Sequence, residues 1–232
     1  MVFIVAEIGI NWDGDFNLLR DMVKKSKDSG CQAVKFQAFK KEMVKNHPDS
    51  SRLIKSSISK ENIKEVNKIC NDIGIEWFCT PMYEEAVELL DPYVRRFKIR
   101  EYDGQEIIEN RQSELFRKIW ETGKEIIFST TKSPKSCSLY KESRIKWLYC
   151  VPKYPTKLKE LDFSTLSEFN GYSNHSTELI APISAAILGA KIIEIHVTSD
   201  KEKNFVDNNV SLDFRELKEV CQQIRLSEEI KK

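Results

Sequence analysis

Short apolar runs alternate along the chain with segments of helical periodicity. Apolar residues on consecutive positions are typical of parallel strands that are buried on both faces. Eight strand candidates lie at 2–8, 33–39, 76–80, 95–99, 125–130, 145–151, 170–174 and 191–197, and several of them have this character. The pattern therefore predicts eight short strands.

Helices are predicted in most of the intervals between these strands. Leu18, Leu19, Met22 and Val23 form an apolar stripe that ends before Gly30, as expected of a first helix. Further helices are predicted at 60–73, 83–90, 105–121, 176–189 and 211–229. Eight strands that alternate with helices indicate an α/β fold of the (β/α)8, or TIM-barrel, type.

The alternative fold is a doubly wound open sheet. Such sheets usually have fewer strands at this length and a glycine-rich first turn, and the segment EIGINWDGD has no GxGxxG spacing. One crossover differs from the rest, because residues 131–144 contain Pro134, several serines and little apolar periodicity. We expect the fifth helix of the barrel to be shortened or absent.

Composition narrows the possible partners. The 232 residues are 41% hydrophobic and carry a net charge of +1, so we expect one barrel domain over 1–232. The balanced charge does not favour nucleic acid or membrane surfaces, and no apolar run has the length of a membrane span. The N-terminus lacks the basic and apolar regions of a signal peptide, and the six cysteines form no CxxC pair. We expect a cytoplasmic protein with buried thiols.

Two of the three histidines stand where neighbouring strands end. His175 closes GYSNH and His196 closes KIIEIH, with a helical segment between them. A single histidine at such a position is more often an ordinary hydrogen-bonded residue. Two imidazoles at the ends of adjacent strands favour a metal site, because imidazole is the commonest metal-ligand side chain.

Charged residues inside apolar strands need a partner or a function. Glu7, Lys35 and Lys98 are such residues, and they indicate either a buried ion pair that joins strands or an anion site. Barrel chemistry gathers at the carboxyl ends of the strands, where hydroxyls suited to a phosphate also occur. The polar residues at the remaining strand ends are Gln37, Thr80, Asp103, Ser129, Tyr154, Ser173 and Glu194.

Motifs in this order resemble the N-acetylneuraminate (sialic acid) synthase family. AEIGINWDGD is similar to the AEIGxNHxGD opening of that family, GYSNHS to GYSDHT, and GAKIIEIHVTSD to GAxxIExHFTxD. The segment from Asp207 through SLDFRELKEV resembles PDHxxSLxPxEL. Further matches are VKFQAF, FCTPM, FKI, IIFST and KYPT, so the resemblance covers nearly the whole chain.

The resemblance implies a reaction and a set of roles. Members of the family condense phosphoenolpyruvate with an N-acetylated amino sugar such as N-acetylmannosamine, releasing phosphate and giving a nine-carbon 2-keto acid. They use a divalent metal, typically Mn²⁺, which His175 and His196 would hold. Glu7 would act near the attacking water. Phosphoenolpyruvate would contact Lys35, Lys98, Thr80, Ser129 and Ser173, and the sugar would contact Gln37, Asp103, Tyr154 and Asp207.

Several positions depart from the family pattern. The family has His, Ser, Gly, Asn or Ser, and Asp where this sequence has Trp12, Glu101, Thr131, Pro152 and Asn174. The family's C-terminal antifreeze-like domain is not expected here, and a homodimer or a separate capping subunit is a possible partner that would cover the sugar site.

These departures leave three hypotheses open. The first is an active synthase. The second is a catalytically impaired barrel that binds a sugar or a partner chain. The third is another metal-dependent aldolase that acts on a sugar phosphate.

Overall fold

The chain folds into a closed barrel of eight parallel strands. In this computed structural model, which describes residues 1–230, each strand pairs with the next and β8 closes the ring against β1. The strands are β1 Phe3–Gly9, β2 Ala33–Ala38, β3 Glu76–Pro81, β4 Arg96–Ile99, β5 Glu125–Thr130, β6 Ile145–Cys150, β7 Gly171–Asn174 and β8 Ile192–His196. All eight predicted strands are confirmed, each end within one residue, and so is the TIM-barrel fold.

Nine α-helices accompany the strands in the described part of the chain. They are α1 Phe16–Ser29, α2 Lys41–Val44, α3 Ser50–Ser56, α4 Ile63–Ile73, α5 Glu84–Leu90, α6 Glu101–Ile108, α7 Glu114–Glu121, α8 Ile180–Ile187 and α9 Phe214–Ile230. The short helices α2 and α3, between β2 and β3, were not predicted. No helix among residues 1–230 is both long and apolar enough to cross a membrane. The predicted domain boundary at 232 lies outside the described residues.

The prediction of one helix over 105–121 is wrong. Two helices occupy this stretch, and the first begins four residues earlier, at Glu101. Asn110 adopts a left-handed backbone conformation with φ of 58°, which ends the first helix. The Ser113 side chain then accepts a hydrogen bond from the backbone N–H of Phe116 and caps the second helix.

The crossover after β5 lacks a full helix, as predicted. Within the described residues it contains a single 3₁₀ turn, Pro134–Ser136, and the crossover after β6 contains the two 3₁₀ turns Leu158–Glu160 and Leu166–Glu168. Aromatic side chains pack in this sector of the wall: the rings of Phe128 and Trp147 lie 4.9 Å apart, and Tyr149 lies 5.6 Å from Phe169.

Strand register sets the positions of the polar residues inside the barrel. Glu7 of β1 lies opposite Lys35 of β2 on one side and opposite His196 of β8 on the other. Ser173 of β7 pairs with Glu194 of β8. These strands approach closely at Gly171, where an added β-carbon would overlap the carbonyl oxygen of Ile192. The pairing brings acids, lysines and imidazoles to one end of the barrel.

Candidate functional site

A cavity of about 510 Å³ opens at the carboxyl ends of the strands. It is lined by eleven of the twelve site residues predicted from the sequence: Glu7, Lys35, Gln37, Thr80, Lys98, Ser129, Tyr154, Ser173, His175, His196 and Asp207. The twelfth, Asp103, lines a neighbouring groove. The cavity has two chemically distinct walls, which we call the lysine side (Glu7, Lys35, Lys98 and Glu194) and the histidine side (His175 and His196).

The lysine side is a continuous network of buried charges. Lys35 Nζ lies 2.9 Å from Glu7 Oε2 and 3.8 Å from Glu194 Oε1, and Lys98 Nζ lies 3.5 Å from that same Glu194 oxygen. Each of the four side chains is at most 5% exposed. The charges therefore form the buried ion pairs considered for these residues, and the same side chains line the cavity.

Hydroxyls surround this network. Lys35 donates to Thr80 Oγ1 at 3.3 Å, and Lys98 donates to Ser129 Oγ at 2.6 Å. The Ser173 hydroxyl donates to Glu194 Oε1 at 2.8 Å. These groups offer N–H and O–H donors that suit the oxygens of a phosphate or a carboxylate.

The surroundings shift the pKa values of this network. Burial alone would raise the pKa of Glu194, but the two lysines and the Ser173 hydroxyl lower it to about 2. Burial would lower the pKa of Lys35, and the carboxylates of Glu194 and Glu7 raise it above its ordinary value. Burial lowers the pKa of Lys98, and Glu194 offsets only part of that effect.

Glu7 contacts both Lys35, on the lysine side, and Gln37, which the family resemblance assigns to the sugar. Gln37 Nε2 donates to Glu7 Oε1 at 2.9 Å, while Lys35 holds the other carboxylate oxygen. Gly9, at the end of β1, has φ of 53°, and a β-carbon there would lie 3.1 Å from that same Oε1. A glycine therefore keeps the chain close to Glu7 without displacing its carboxylate.

On the histidine side, hydrogen bonds orient His175. The ring centroids of His175 and His196 are 5.3 Å apart. His175 Nδ1 lies 2.8 Å from the carbonyl oxygen of Val151, so Nδ1 carries the proton and donates. Nε2 therefore keeps its lone pair, and the hydroxyl of Tyr154 donates to it at 3.0 Å. Burial, followed by the proximity of His196, lowers the pKa of His175 to about 3, so its ring is neutral near pH 7.

His196 has fewer hydrogen bonds. Its Nδ1 is buried and has no hydrogen-bond partner among the described residues, and Asp207 Oδ2 lies 3.6 Å away. The backbone N–H of Asp207 donates to Asn11 Oδ1 at 3.1 Å, which ties the loop after β8 to the loop after β1. A buried imidazole nitrogen without a partner is a group that a ligand can satisfy.

The two imidazoles fit a divalent metal ion that takes its other ligands from substrate or solvent. His175 presents an unprotonated Nε2 whose tautomer is fixed by a carbonyl, the arrangement that orients histidine ligands. Among residues 1–230, no group of three or more His, Cys, Asp or Glu side chains is placed to hold a metal. Burial raises the pKa of the neighbouring Cys150 to about 12, so without a metal its thiol is protonated near pH 7.

Asp103 contacts an arginine beside the cavity. Its carboxylate accepts from Arg100 Nε at 2.5 Å and from Arg100 Nη2 at 3.4 Å. The side chain takes this direction because α6 begins at Glu101, which places Asp103 in the first helical turn.

Two of the departures from the family pattern line the cavity. Glu101 and Pro152 are both part of its wall. Trp12 is not, because it is fully buried and its Nε1 donates to the carbonyl oxygen of Ser56 at 3.1 Å. The Trp12 substitution therefore serves packing between the β1 loop and α3.

Two further cavity residues were not assigned to the site from the sequence. Glu194 carries the same signal as Glu7, an acid within an apolar strand, and it precedes His196 by two positions, which places both on one face of β8. Arg100 follows β4 directly and also lines the cavity. The alternation of side chains along β4 identifies it, since Lys98 lies two residues earlier.

Comparisons with known proteins place the chain in a family. The NeuB family model matches residues 22–232. An uncharacterized protein of Methanocaldococcus jannaschii is 31% identical over 98% of this chain and 71% of its own length. The N,N'-diacetyllegionaminic acid synthase of Legionella pneumophila is 29% identical over 98% of this chain and 72% of its own.

A solved structure agrees with these sequence matches. The sialic acid synthetase of Leptospira borgpetersenii, crystallised with citrate, superposes with a TM-score of 0.86 and 26% identity, covering 99% of this chain and 84% of that one. The family match, the relatives and the shared barrel agree with the motifs read from the sequence, and the chain belongs to the NeuB family of sialic acid synthases.

Proposed function

We propose that the protein condenses phosphoenolpyruvate with an N-acetylated amino sugar and releases inorganic phosphate. The observation that carries this proposal is the juxtaposition of the lysine side and the histidine side in one cavity. Cationic and hydroxyl donors suit the phosphate and carboxylate of phosphoenolpyruvate, and the imidazole pair lies where the sugar aldehyde would meet it. The named synthases among its relatives act in the same chemical class.

The residues divide the work between the two substrates. Lys35, Lys98, Thr80, Ser129 and Ser173 bind phosphoenolpyruvate through charge-assisted and neutral hydrogen bonds. The amino sugar contacts Gln37, Tyr154 and Asp207, which line the same cavity. Holding both reactants in one cavity makes the bimolecular reaction effectively unimolecular, which lowers its entropic cost.

In the reaction, C3 of phosphoenolpyruvate forms a carbon–carbon bond to the aldehyde carbon of the open-chain sugar. Water then adds at C2, the C2–O bond to phosphate breaks, and the 2-keto acid remains. Glu7, held by Lys35 and Gln37, is the carboxylate that orients or deprotonates this water. Glu194 stays ionised between the lysines and stabilises positive charge that develops at C2.

His175 and His196 would hold a divalent ion, for which Mn²⁺ is the family's usual choice. When bound there, such an ion supplies a Lewis acid that polarises the aldehyde oxygen. A metal at His175 Nε2 would replace the hydrogen bond that the Tyr154 hydroxyl donates to this nitrogen.

The test is an assay for phosphate release from phosphoenolpyruvate in the presence of Mn²⁺. The acceptors are N-acetylmannosamine, its 6-phosphate and diacetylated amino sugars of the kind that legionaminic acid synthases use. We expect release with at least one acceptor and loss of at least a hundred-fold in Lys98→Met, which removes a cation that phosphoenolpyruvate would contact. Folded, Mn²⁺-loaded protein that releases no phosphate with any acceptor overturns the proposal.

One observation favours a second candidate, a barrel that binds a sugar or a partner chain without turnover. Three cationic and four carboxylate side chains line the cavity among the described residues. The lining therefore has no net positive charge that would attract an anionic substrate. Direct titration with phosphoenolpyruvate distinguishes the two candidates. An active synthase binds phosphoenolpyruvate, whereas a barrel that has lost this substrate does not.

A further inference from the structure

The wall that would receive the phosphate has lost two neutral donors. Glu101 and Pro152 stand where the family pattern has hydroxyl or amide side chains, and both line the cavity. The two lysines of that wall already lie beside the carboxylates of Glu7 and Glu194. Because a phosphate monoester carries up to two negative charges near pH 7, another donor is needed to hold it.

Arg100 is the third cation that lines the cavity, after Lys35 and Lys98. Its backbone is extended, with φ of −74° and ψ of 165°, so it continues the alternation of β4. Arg100 and Lys98 therefore point to the same side of the strand, with Arg100 nearer the cavity mouth. The Arg100 side chain is 41% exposed, which agrees with a position at the rim.

Asp103 fixes the orientation of this guanidinium. It accepts from Nε and Nη2, the two nitrogens on one edge of the arginine. Nη1 makes no hydrogen bond within the described residues, so it remains available to a ligand together with the second hydrogen of Nη2. A guanidinium held in this way presents a planar pair of donors that matches two phosphate oxygens.

The acid next to Arg100 is held by a neighbour on its own helix. Both carboxylate oxygens of Glu101 lie 3.3 Å from Gln105 Nε2, one turn later along α6. The carboxylate is thus directed towards the next turn of α6, although Glu101 remains part of the cavity wall.

We infer that Arg100 binds the phosphate group of phosphoenolpyruvate and that Asp103 is the positioning residue that holds it. This inference rests on the proposed function. It assigns Asp103 to the phosphate rather than to the sugar, and it supplies a charged donor where the family pattern has neutral ones.

Calorimetric titration of the full chain with phosphoenolpyruvate tests the inference. Arg100→Gln should weaken binding about ten-fold or more, because one charge-assisted bidentate contact is lost. Arg100→Lys, which keeps the charge and loses the planar fork, should weaken it by a smaller factor. Arg111→Gln is the matched control, since Arg111 lies near α6, lines only the neighbouring groove and pairs with Glu109.

A second titration shows whether Arg100 binds the phosphate of phosphoenolpyruvate or a phosphate on the acceptor sugar. N-acetylmannosamine 6-phosphate carries its phosphate on the acceptor, and Arg100→Gln should leave its binding within two-fold. A loss confined to the sugar phosphate, or an equal loss in Arg111→Gln, overturns the inference. Thermal unfolding of each variant confirms that the fold is retained.

Asp103 is tested through its coupling to Arg100. Asp103→Asn should weaken phosphoenolpyruvate binding about three-fold and raise KM for phosphoenolpyruvate without lowering kcat to the same extent. In the Arg100→Gln background the same change should have no further effect, since neighbours that act together are not additive. Additive effects contradict a positioning role.

Failure of this inference can be told apart from failure of the proposed function. Binding that depends on Arg100 without turnover of any acceptor overturns the function and retains the phosphate site. Turnover that Arg100→Gln leaves unchanged overturns the phosphate site alone. A wild-type protein that binds neither phosphoenolpyruvate nor inorganic phosphate overturns both.

Discussion

The two walls of the cavity differ in how their buried polar groups are paired. On the lysine side, Lys35, Lys98, Glu7 and Glu194 neutralise one another through contacts of 2.9 to 3.8 Å, although Glu194 Oε2 has no hydrogen-bond partner among residues 1–230. On the histidine side, where no such ion pairs are buried among these residues, His196 Nδ1 also lacks a hydrogen-bond partner, and His175 is held neutral by burial. From this difference we expect the lysine side to contribute to the stability of the fold as well as to binding. We expect the histidine side to contribute mainly to binding a ligand. Four measurements can break or sharpen this contrast.

The largest effect is expected from Glu194→Ala. This change leaves Lys35 and Lys98 buried without the carboxylate that both contact, and breaking a buried ion pair typically costs about 3–5 kcal/mol of unfolding free energy. Urea unfolding measures the loss. Glu194→Gln is the control, because it removes the charge and keeps an acceptor for Ser173. A loss below about 1 kcal/mol for the alanine variant would show that the lysine side is not structural.

In β7 and β8, the strands that lead to the two histidines, the largest loss should come from a change at the backbone of Gly171. Gly171→Ala forces a methyl group into the carbonyl of Ile192 and should destabilise the protein by about 3 kcal/mol. Gly123→Ala is the matched control: its φ of 72° also disfavours alanine, but a β-carbon there meets no atom within 4 Å. Denaturant unfolding compares the two variants. Equal losses would show that close approach of β7 and β8 is not the cause.

As the pH falls, the stabilisation contributed by the histidine side should be lost before that contributed by the lysine side. His175 has a pKa of about 3 when folded and 6.5 in its ordinary state, so the unfolded chain binds the extra proton. Its stabilisation is complete above pH 6.5 and declines as the pH falls toward 3. Between pH 7.5 and 5.5 this amounts to about 1.4 kcal/mol. The pKa of Glu194 lies at about 2, so its contribution is lost only below its ordinary value of 4.5.

Urea unfolding of chelator-treated protein at those two pH values checks this expectation. The acid-induced loss should be smaller by about 1.4 kcal/mol in His175→Gln, which lacks the titrating ring. Glu194→Gln should show the wild-type loss over this range. If His175→Gln and wild type lose equal stability, the ring is not held neutral by the fold.

The smallest effect on stability is expected from His196→Gln. Because Nδ1 has no hydrogen bond to lose in the described part of the chain, the unfolding free energy should fall by less than about 1 kcal/mol, while Mn²⁺ binding measured by calorimetry should be lost. His47→Gln, in the loop after α2, provides the control for metal binding. Retained Mn²⁺ binding in His196→Gln contradicts the assignment of this residue as a ligand.

The strands and most of the candidate site could be predicted because both follow from periodicity. Consecutive apolar positions located several of the strands, and the strand-end rule then selected residues such as Lys35, Lys98 and His175 without knowledge of contacts. Alternation along a strand fixes which side chains share a face, and this property is local to the sequence.

What the sequence could not predict depends on tertiary contacts. The start of α6 at Glu101 places Asp103 against Arg100, a contact that the sequence pattern did not indicate. The charge balance of the lysine side depends on Glu194, which is 159 positions beyond Lys35 and meets it only when the barrel closes. Periodicity cannot report which distant charges will neutralise each other.

The close approach of β7 and β8 has a consequence for protein design. The histidines stand at the rim, but part of their spacing is set at Gly171, at the other end of β7 and four residues before His175. Copying only the rim side chains onto another barrel would therefore transfer the imidazoles without the strand separation that brings them together. A transplant of this site needs the glycine as well as the histidines.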